Sequence, residues 1–197
     1  MMKAIFLDKN GTLTDDIPYH TGLRSITLCS GAGAALRLLA RLDYRLFVVS
    51  NEDGIGPGTG RGAGPGIVPE SAIEQVRDRV GDLLFREQVQ LDGFYFCPHQ
   101  PDGAAPAYTS SCTCRKPQPG MLLQAASEHA IDLGQSWMIG DALHDVEAGN
   151  RAGCRSLLVD NGNETDWRLG PYRVPASIVP DLYAAALVIA NADGVRP

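Results

Sequence analysis

The stretch KAIFLDKNGTL, residues 3–13, decides how the rest of the chain is read. Ala4, Ile5, Phe6 and Leu7 are apolar without alternation, the pattern of a short strand buried on both faces. The run stops at Asp8, and Gly11 marks a turn. The same figure recurs downstream. YRLFVVSN (44–51), GFYFC (93–97), SWMIGD (136–141) and RSLLVD (155–160) are short and rich in β-branched or aromatic residues, and several end in Asp, Ser or Asn. Between them, AGAALRLLARL (32–42), PESAIEQVRDRVGDLLFREQ (69–88), PGMLLQAASEHA (119–130) and LHDVEAGNRAG (143–153) repeat their apolar positions at three and four, which predicts amphipathic helices. VPDLYAAALVIANA (179–192) predicts a last helix. Pro69 and Pro119 suit first helical turns, and Gly153 suits a helix end. The alternation predicts an α/β fold, a Rossmann-like parallel sheet with helices on both faces. Its 197 residues suit one domain, 1–197.

Composition narrows the function. Apolar residues at 44% and charged residues at 20% are those of an ordered globular chain. The 17 Lys and Arg against 23 Asp and Glu give a net charge of -6, which argues against a general nucleic-acid binder. A small phosphorylated molecule needs only a few local cations and stays open as a partner. No apolar run approaches the ~20 residues that span a bilayer, and the first residues do not read as a signal peptide. A cytoplasmic protein without membrane contact is expected, and a monomer. Of five cysteines, Cys29 and Cys154 are isolated while Cys97, Cys112 and Cys114 cluster, a poor disulfide framework that suggests a metal site. Two segments break the strand-helix pattern. Residues 54–66, GIGPGTGRGAGPG, carry seven glycines and read as a flexible loop. No Gly-Lys-Ser/Thr follows them, so a Walker phosphate loop is not indicated. Residues 98–115 form a polar, Pro-rich loop bracketed by cysteine and histidine.

In a parallel sheet the carboxyl ends of the strands converge on one edge, where ligands bind. Asp8 at such an end can attack phosphorus or hold a hard cation; alone it reads also as an ordinary turn carboxylate. Ser50 and Asn51 end the second strand. Arg115, Lys116 and Pro117 precede the 119–130 helix. Gly140 and Asp141 end the fourth strand, with Asp145 four residues on. Together these supply a nucleophile, a hydroxyl, cations and further carboxylates, the parts phosphoryl transfer needs.

Four segments in order, D-K-N-G-T (8–12), V-V-S-N (48–51), R-K-P-x-P-G-M (115–121) and I-G-D-x-x-x-D (139–145), resemble the haloacid dehalogenase superfamily of phosphatases over nearly the whole chain. Cys97, His99, Cys112 and Cys114, as C-x-H-x12-C-x-C, resemble its zinc-loop branch, which includes heptose 1,7-bisphosphate phosphatase and the histidinol-phosphate phosphatase domain. Three thiolates and an imidazole complete a closed, structural Zn²⁺ site that would pin the loop 97–114; four unrelated loop residues are the alternative. The resemblance implies that Asp8 forms an aspartyl-phosphate. It implies Mg²⁺ held by Asp8, the Asn10 backbone carbonyl and Asp141, with Ser50 and Lys116 holding the transferring phosphoryl group. Asn51 and Arg115 then lie where the rest of the substrate is read. Asp145 supports the Mg²⁺ shell or the helix start, and Lys9 is either an exposed neighbour or a substrate contact. No bulky cap insertion is apparent, so an open site is expected. The substrate implied first is heptose 1,7-bisphosphate, then histidinol phosphate.

Two residues depart from the family pattern. The superfamily's phosphatases carry a second Asp two residues after the nucleophile, as general acid and base; here Asn10 stands there. An amide cannot donate and recover a proton near neutral pH, and that service is worth roughly 10²–10⁴-fold. Low activity, a silent phosphate-ligand binder and use of another acid are the open readings, with a nucleic-acid 3′-phosphatase as a more distant one. Glu52 stands where heptose-bisphosphate phosphatases usually have Gln, and is expected to add negative charge near the phosphate.

Overall fold

The computed structural model of the protein describes residues 2–15, 23–52, 55–56, 68–69, 71–100, 109, 111–168 and 170–195. Six strands form one parallel sheet: β1 (Lys3–Leu7), β2 (Tyr44–Asn51), β5 (Gly93–Cys97), β6 (Trp137–Gly140), β7 (Arg155–Val159) and β8 (Ser177–Val179), in the order β5-β2-β1-β6-β7-β8. Two further strands, β3 (Ile55–Gly56) and β4 (Val68–Pro69), pair only with each other. Five α-helices lie among the described residues: α1 (Ala32–Arg41), α2 (Ser71–Arg86), α3 (Gly120–His129), α4 (Leu143–Ala152) and α5 (Leu182–Ala192).

β1 lies between β2 and β6, and its side chains alternate between two apolar layers. Ile5 and Leu7 join Leu46 and Val48 against α1, α2 and α5. Ala4 and Phe6 join Phe47, Val49 and Met138 against α3 and α4. Both faces are covered, which is why the strand carries no polar alternation. The helices bury one stripe each: Ala32, Ala35, Leu36 and Leu39 in α1, and Ile73, Val76, Val80 and Leu84 in α2. Gly153 closes α4 in the left-handed conformation, the helix end expected of it.

Three expectations at element ends change. The helix expected over 179–192 starts at Leu182, because Val179 is the last residue of β8 and the Asp181 carboxylate accepts from the Ala184 N–H at 2.7 Å as its N-cap. Pro69 lies in β4 rather than in the first turn of α2, and Pro119 sits at the N-cap of α3, one residue before it. Within the Gly-rich segment Ile55 and Gly56 are paired; the rest of 54–66 lies outside the described residues, as do 101–108 and 110 of the second loop. Among the described residues, one short 3-10 turn (Leu23–Ser25) lies between β1 and α1. No helix among them is long and apolar enough to cross a membrane.

Candidate active site

The carboxyl ends of β1, β2 and β6 meet around one ammonium. Lys116, fully buried, forms an ion pair with Asp8 Oδ1, lies 2.7 Å from Asp145 Oδ1 and donates to the Val49 carbonyl at 2.9 Å. An ammonium has three donors, and three oxygens surround it. Its main chain is fixed as firmly. Asn51 Nδ2 donates to the Lys116 carbonyl and Asn51 Oδ1 accepts from the Lys116 N–H, both at 3.0 Å. The Asn51 amide, expected to face the substrate, thus holds the residue that faces Asp8. Ser50, one residue earlier on β2, is buried beside it.

Asp8 follows β1, and its N–H donates to the Ile139 carbonyl of β6 at 2.9 Å. Gly140 is dictated by Asp145: a Cβ there would overlap the Asp145 side chain. Asp145 in turn accepts from the Ala142 N–H at 3.1 Å, so it supports the helix start as expected while pairing with Lys116. Gly11 is required for two reasons. Its φ is +75°, and a Cβ would overlap Asp141 Oδ2.

Asp8, Asp141 and Asp145 bring carboxylate oxygens within 4.8 Å of one another. Burial, then the neighbouring carboxylates, pushes Asp8 up to about 7 despite Lys116. Burial also raises Asp141. Burial alone would raise Asp145 and lower Lys116, but the attraction between them reverses both. When all three carboxylates are ionised, they leave two negative charges in excess over the one ammonium. An all-oxygen donor set with that imbalance suits a hard divalent cation.

The second cluster sits at the end of β5. Cys97 Sγ lies 2.8 Å from Cys114 Sγ and 3.5 Å from both Cys112 Sγ and His99 Nδ1, and Cys114 Sγ lies 3.4 Å from His99 Nδ1. All five cysteines are free. Three sulfurs and one ring nitrogen facing a common centre are the donor set of a closed tetrahedral site for a soft or borderline metal. Arg115 continues from this cluster: its N–H donates to Cys112 Sγ at 3.3 Å and its Nη1 to the His99 carbonyl at 2.9 Å. Cys112 and Cys114 thus lie four and two residues before Lys116, and the cluster and the ammonium share one segment of chain.

Two expectations about charge are corrected. Lys9 is not an exposed neighbour. It is 2% exposed and paired with the fully buried Glu52 at 2.6 Å. Glu52 therefore adds no net negative charge near the phosphate position, since Lys9 neutralises it. Sequence reasoning also missed Asn161, Asn163 and Glu164. Asn163 Nδ2 donates to Asp141 Oδ2 at 2.7 Å, and Glu164 accepts from the Leu143 N–H at 2.6 Å, capping α4. They follow β7, and the strand-end rule applied to the other loops would have found them.

Asn10 occupies the turn between Lys9 and Gly11, where the Lys9 carbonyl accepts from the N–H groups of Leu13 and Thr14. Asn-Gly sequences deamidate when the glycine nitrogen attacks the asparagine side chain. Here the Gly11 N–H is donated to the Thr14 carbonyl at 2.7 Å, which ties up the attacking atom.

Removing the carboxylate from the buried pair gives a direct test of the correction. Glu52→Gln is expected to lower unfolding free energy by about 3–5 kcal/mol, the cost of stranding one buried charge. Lys9→Met with Glu52→Leu is expected to recover most of it. Urea denaturation reads both; unchanged stability in Glu52→Gln would show that the pair carries no weight.

Comparison with known proteins agrees with this arrangement. The HAD-hydrolase-like family model matches residues 113–185. The D-glycero-beta-D-manno-heptose-1,7-bisphosphate 7-phosphatase of Haemophilus influenzae is 40% identical over 163 residues, 82% of this chain and 84% of that one. Its namesake from Photorhabdus laumondii is 39% identical over 149 residues, 76% and 75% of the two chains. The D,D-heptose 1.7-bisphosphate phosphatase from B. bronchiseptica, solved with magnesium and phosphate, superposes with a TM-score of 0.77 at 26% identity, covering 97% of this chain and 99% of that one. With this identity over most of both chains and the same fold, the protein belongs to the haloacid dehalogenase-like (HAD) phosphatases.

Proposed function

We propose that this chain is a single-domain, Mg²⁺-dependent phosphatase of D-glycero-D-manno-heptose 1,7-bisphosphate, slowed by Asn10. The observation that carries the chemistry is Asp8 held against Lys116 at the end of β1, with Asp141 and Asp145 beside it. The names of the 39–40% identical relatives support the sugar.

Asp8 attacks phosphorus in line, its carboxylate oxygen bonding to the phosphoryl group while the bond to the sugar oxygen breaks. Lys116 and Ser50 hold the phosphoryl oxygens. Asn51 acts through Lys116, whose main chain it clamps. Arg115, on the side of the cysteine cluster, reads the rest of the substrate. Mg²⁺, held by Asp8, the Asn10 carbonyl and Asp141, supplies charge neutralisation at the phosphoryl oxygens when bound. Water then attacks phosphorus, releasing phosphate and regenerating the Asp8 carboxylate. At residue 10 an amide replaces the acid that would protonate the departing sugar oxygen and then activate that water. Asn10 equally supports a second reading, a chain that binds the phosphorylated sugar without turning it over. Cys97, His99, Cys112 and Cys114 hold Zn²⁺, whose role is to fix the loop that presents Arg115 and Lys116.

Phosphate release from the heptose bisphosphate, with histidinol phosphate and a 3′-phosphorylated oligonucleotide alongside, tests the substrate. Asn10→Asp is expected to raise kcat by roughly 10²–10⁴-fold with little change in binding, because the side chain acts in the transition state. Asp8→Asn in that background is expected to abolish turnover and leave folding intact. Peptide mapping is expected to find residue 10 unchanged as Asn, so that any wild-type turnover belongs to the amide form. Equal turnover by the wild type and the Asn10→Asp variant would remove residue 10 from the mechanism.

Metal analysis is expected to find about one Zn²⁺ per chain, as a four-ligand site requires. Cys112→Ser is expected to lower the thermal midpoint more than it changes kcat. Metal-free protein of equal stability would refute the staple.

A further inference from the structure

Asn161 and Asn163 lie on the loop after β7, and their amides lie across the Asp141 carboxylate. Asn163 Nδ2 donates to Asp141 Oδ2 at 2.7 Å, and Asn161 Nδ2 reaches the same oxygen at 3.3 Å. Asn161 Nδ2 also donates to the Gly11 carbonyl at 2.7 Å. The two residues brace each other, since the Asn163 N–H donates to Asn161 Oδ1 at 3.0 Å. Three strand-end loops are joined in this way: the turn after β1, Asp141 after β6, and the β7 loop itself. Asp141 packs so closely on Gly11 that no Cβ fits between them.

We infer that Asn161 and Asn163 are positioning residues for the divalent cation, a clasp that presets both Asp141 and the residue 10–11 peptide before the ion arrives. This rests on the reading of Asp8, Asp141 and the Asn10 carbonyl as the cation's ligands. The chemistry follows from what each amide engages. With Oδ2 of Asp141 occupied by two N–H donors, the carboxylate cannot rotate freely, and its other oxygen is directed by default. The Gly11 carbonyl, fixed by Asn161, belongs to the residue next to the Asn10 carbonyl, so the tilt of that peptide pair is fixed with it. Neutral donors do this without adding charge to a cluster that is already unbalanced. A carboxylate on this loop would repel Asp141, and an ammonium would compete with the cation for it. Partners of this kind, which orient a metal ligand without touching the metal, typically account for 10–100-fold in affinity.

The β7 loop has a second anchor that separates positioning from mere folding. Glu164 holds the loop to the Leu143 N–H at 2.6 Å and accepts from the Asp166 N–H at 2.7 Å. Truncating Asn163 removes the donor to Asp141 while this anchor stays in place. The loop therefore keeps its course when the clasp is opened.

Calorimetric titration of the metal-free site with Mg²⁺, on the full chain, tests the inference without reference to turnover. Asn163→Ala is expected to weaken Mg²⁺ binding by about 10-fold or more, while the thermal midpoint without Mg²⁺ stays within a degree or two. Asn161→Ala is expected to weaken it as well. The double variant should fall short of the product of the two effects, because each residue braces the other. Asn163→His, which keeps a donor, is expected to restore part of the affinity. Unchanged Mg²⁺ affinity in both single variants, beside a wild type that binds, would overturn the clasp alone. So would a loss of affinity matched by a drop in the Mg²⁺-free thermal midpoint. A wild type that takes up no Mg²⁺ would overturn the cation reading and the clasp together.

Discussion

A single buried ammonium sets the terms for the rest of this active site. Taking Lys116 out of water costs several kcal/mol on its own, and two carboxylates with a carbonyl offset that cost only if all three are in place. Such a knot tolerates little displacement. Removing Asp8 or Asp145 would take one partner from Lys116, and shifting Lys116 would unmake both pairs. Much of the surrounding structure follows from the need to hold this one side chain still. Asn51 clamps its peptide on both sides, and the cysteine cluster ends two residues before it. Gly140 leaves room for Asp145 to reach it.

The same electrostatics explain why the cluster has two halves. On the Lys116 side, one ammonium is shared by two carboxylates. On the Asp141 side, the neighbours are neutral amides. A site meant to be closed by protein alone would place a cation beside Asp141. Leaving negative charge in excess over the cluster, with Asp141 held by Asn161 and Asn163, suits a divalent ion, and the fold leaves the balance to it. The nearby Lys9 and Glu52 do not disturb this account, because they cancel each other inside the protein.

What could be read from the sequence was whatever the chain repeats or spaces locally. β1 and β2 are unalternating apolar runs, the helices carry stripes, and Cys97, His99, Cys112 and Cys114 announce themselves by type and interval. β8 escaped because three residues, Ser177–Val179, are too few to show a pattern, and only Pro180 and the Asp181 cap separate them from the helix. The Lys9–Glu52 pair escaped for a different reason. Its partners stand 43 positions apart, and a charged residue in sequence reads as exposed until a partner is seen. Asn51 was legible as a site residue but not in its role, since whether an amide faces ligand or backbone depends on where Lys116 comes to rest. Asn161 and Asn163 needed only the strand-end rule carried one strand further, to β7.

Asn10 draws these strands of argument together. An aspartate there would add a fourth carboxylate to a cluster whose one ammonium is already shared by two. It would raise the demand for a divalent ion and, once the phosphate dianion arrived, the repulsion that the site must overcome. On the proposed mechanism the amide would remove that repulsion in the ground state and the proton donor in the transition state. These are separate consequences of one substitution, acting on affinity and on turnover respectively. The turn itself does not choose between them, since its hydrogen bonds run through the backbone of Lys9, Gly11, Leu13 and Thr14 and accept either side chain. What the turn does add is a restraint on the attacking atom. By donating the Gly11 N–H to the Thr14 carbonyl it opposes the deamidation that would turn the amide into the acid, so the difference between the two side chains is expected to be set by the sequence.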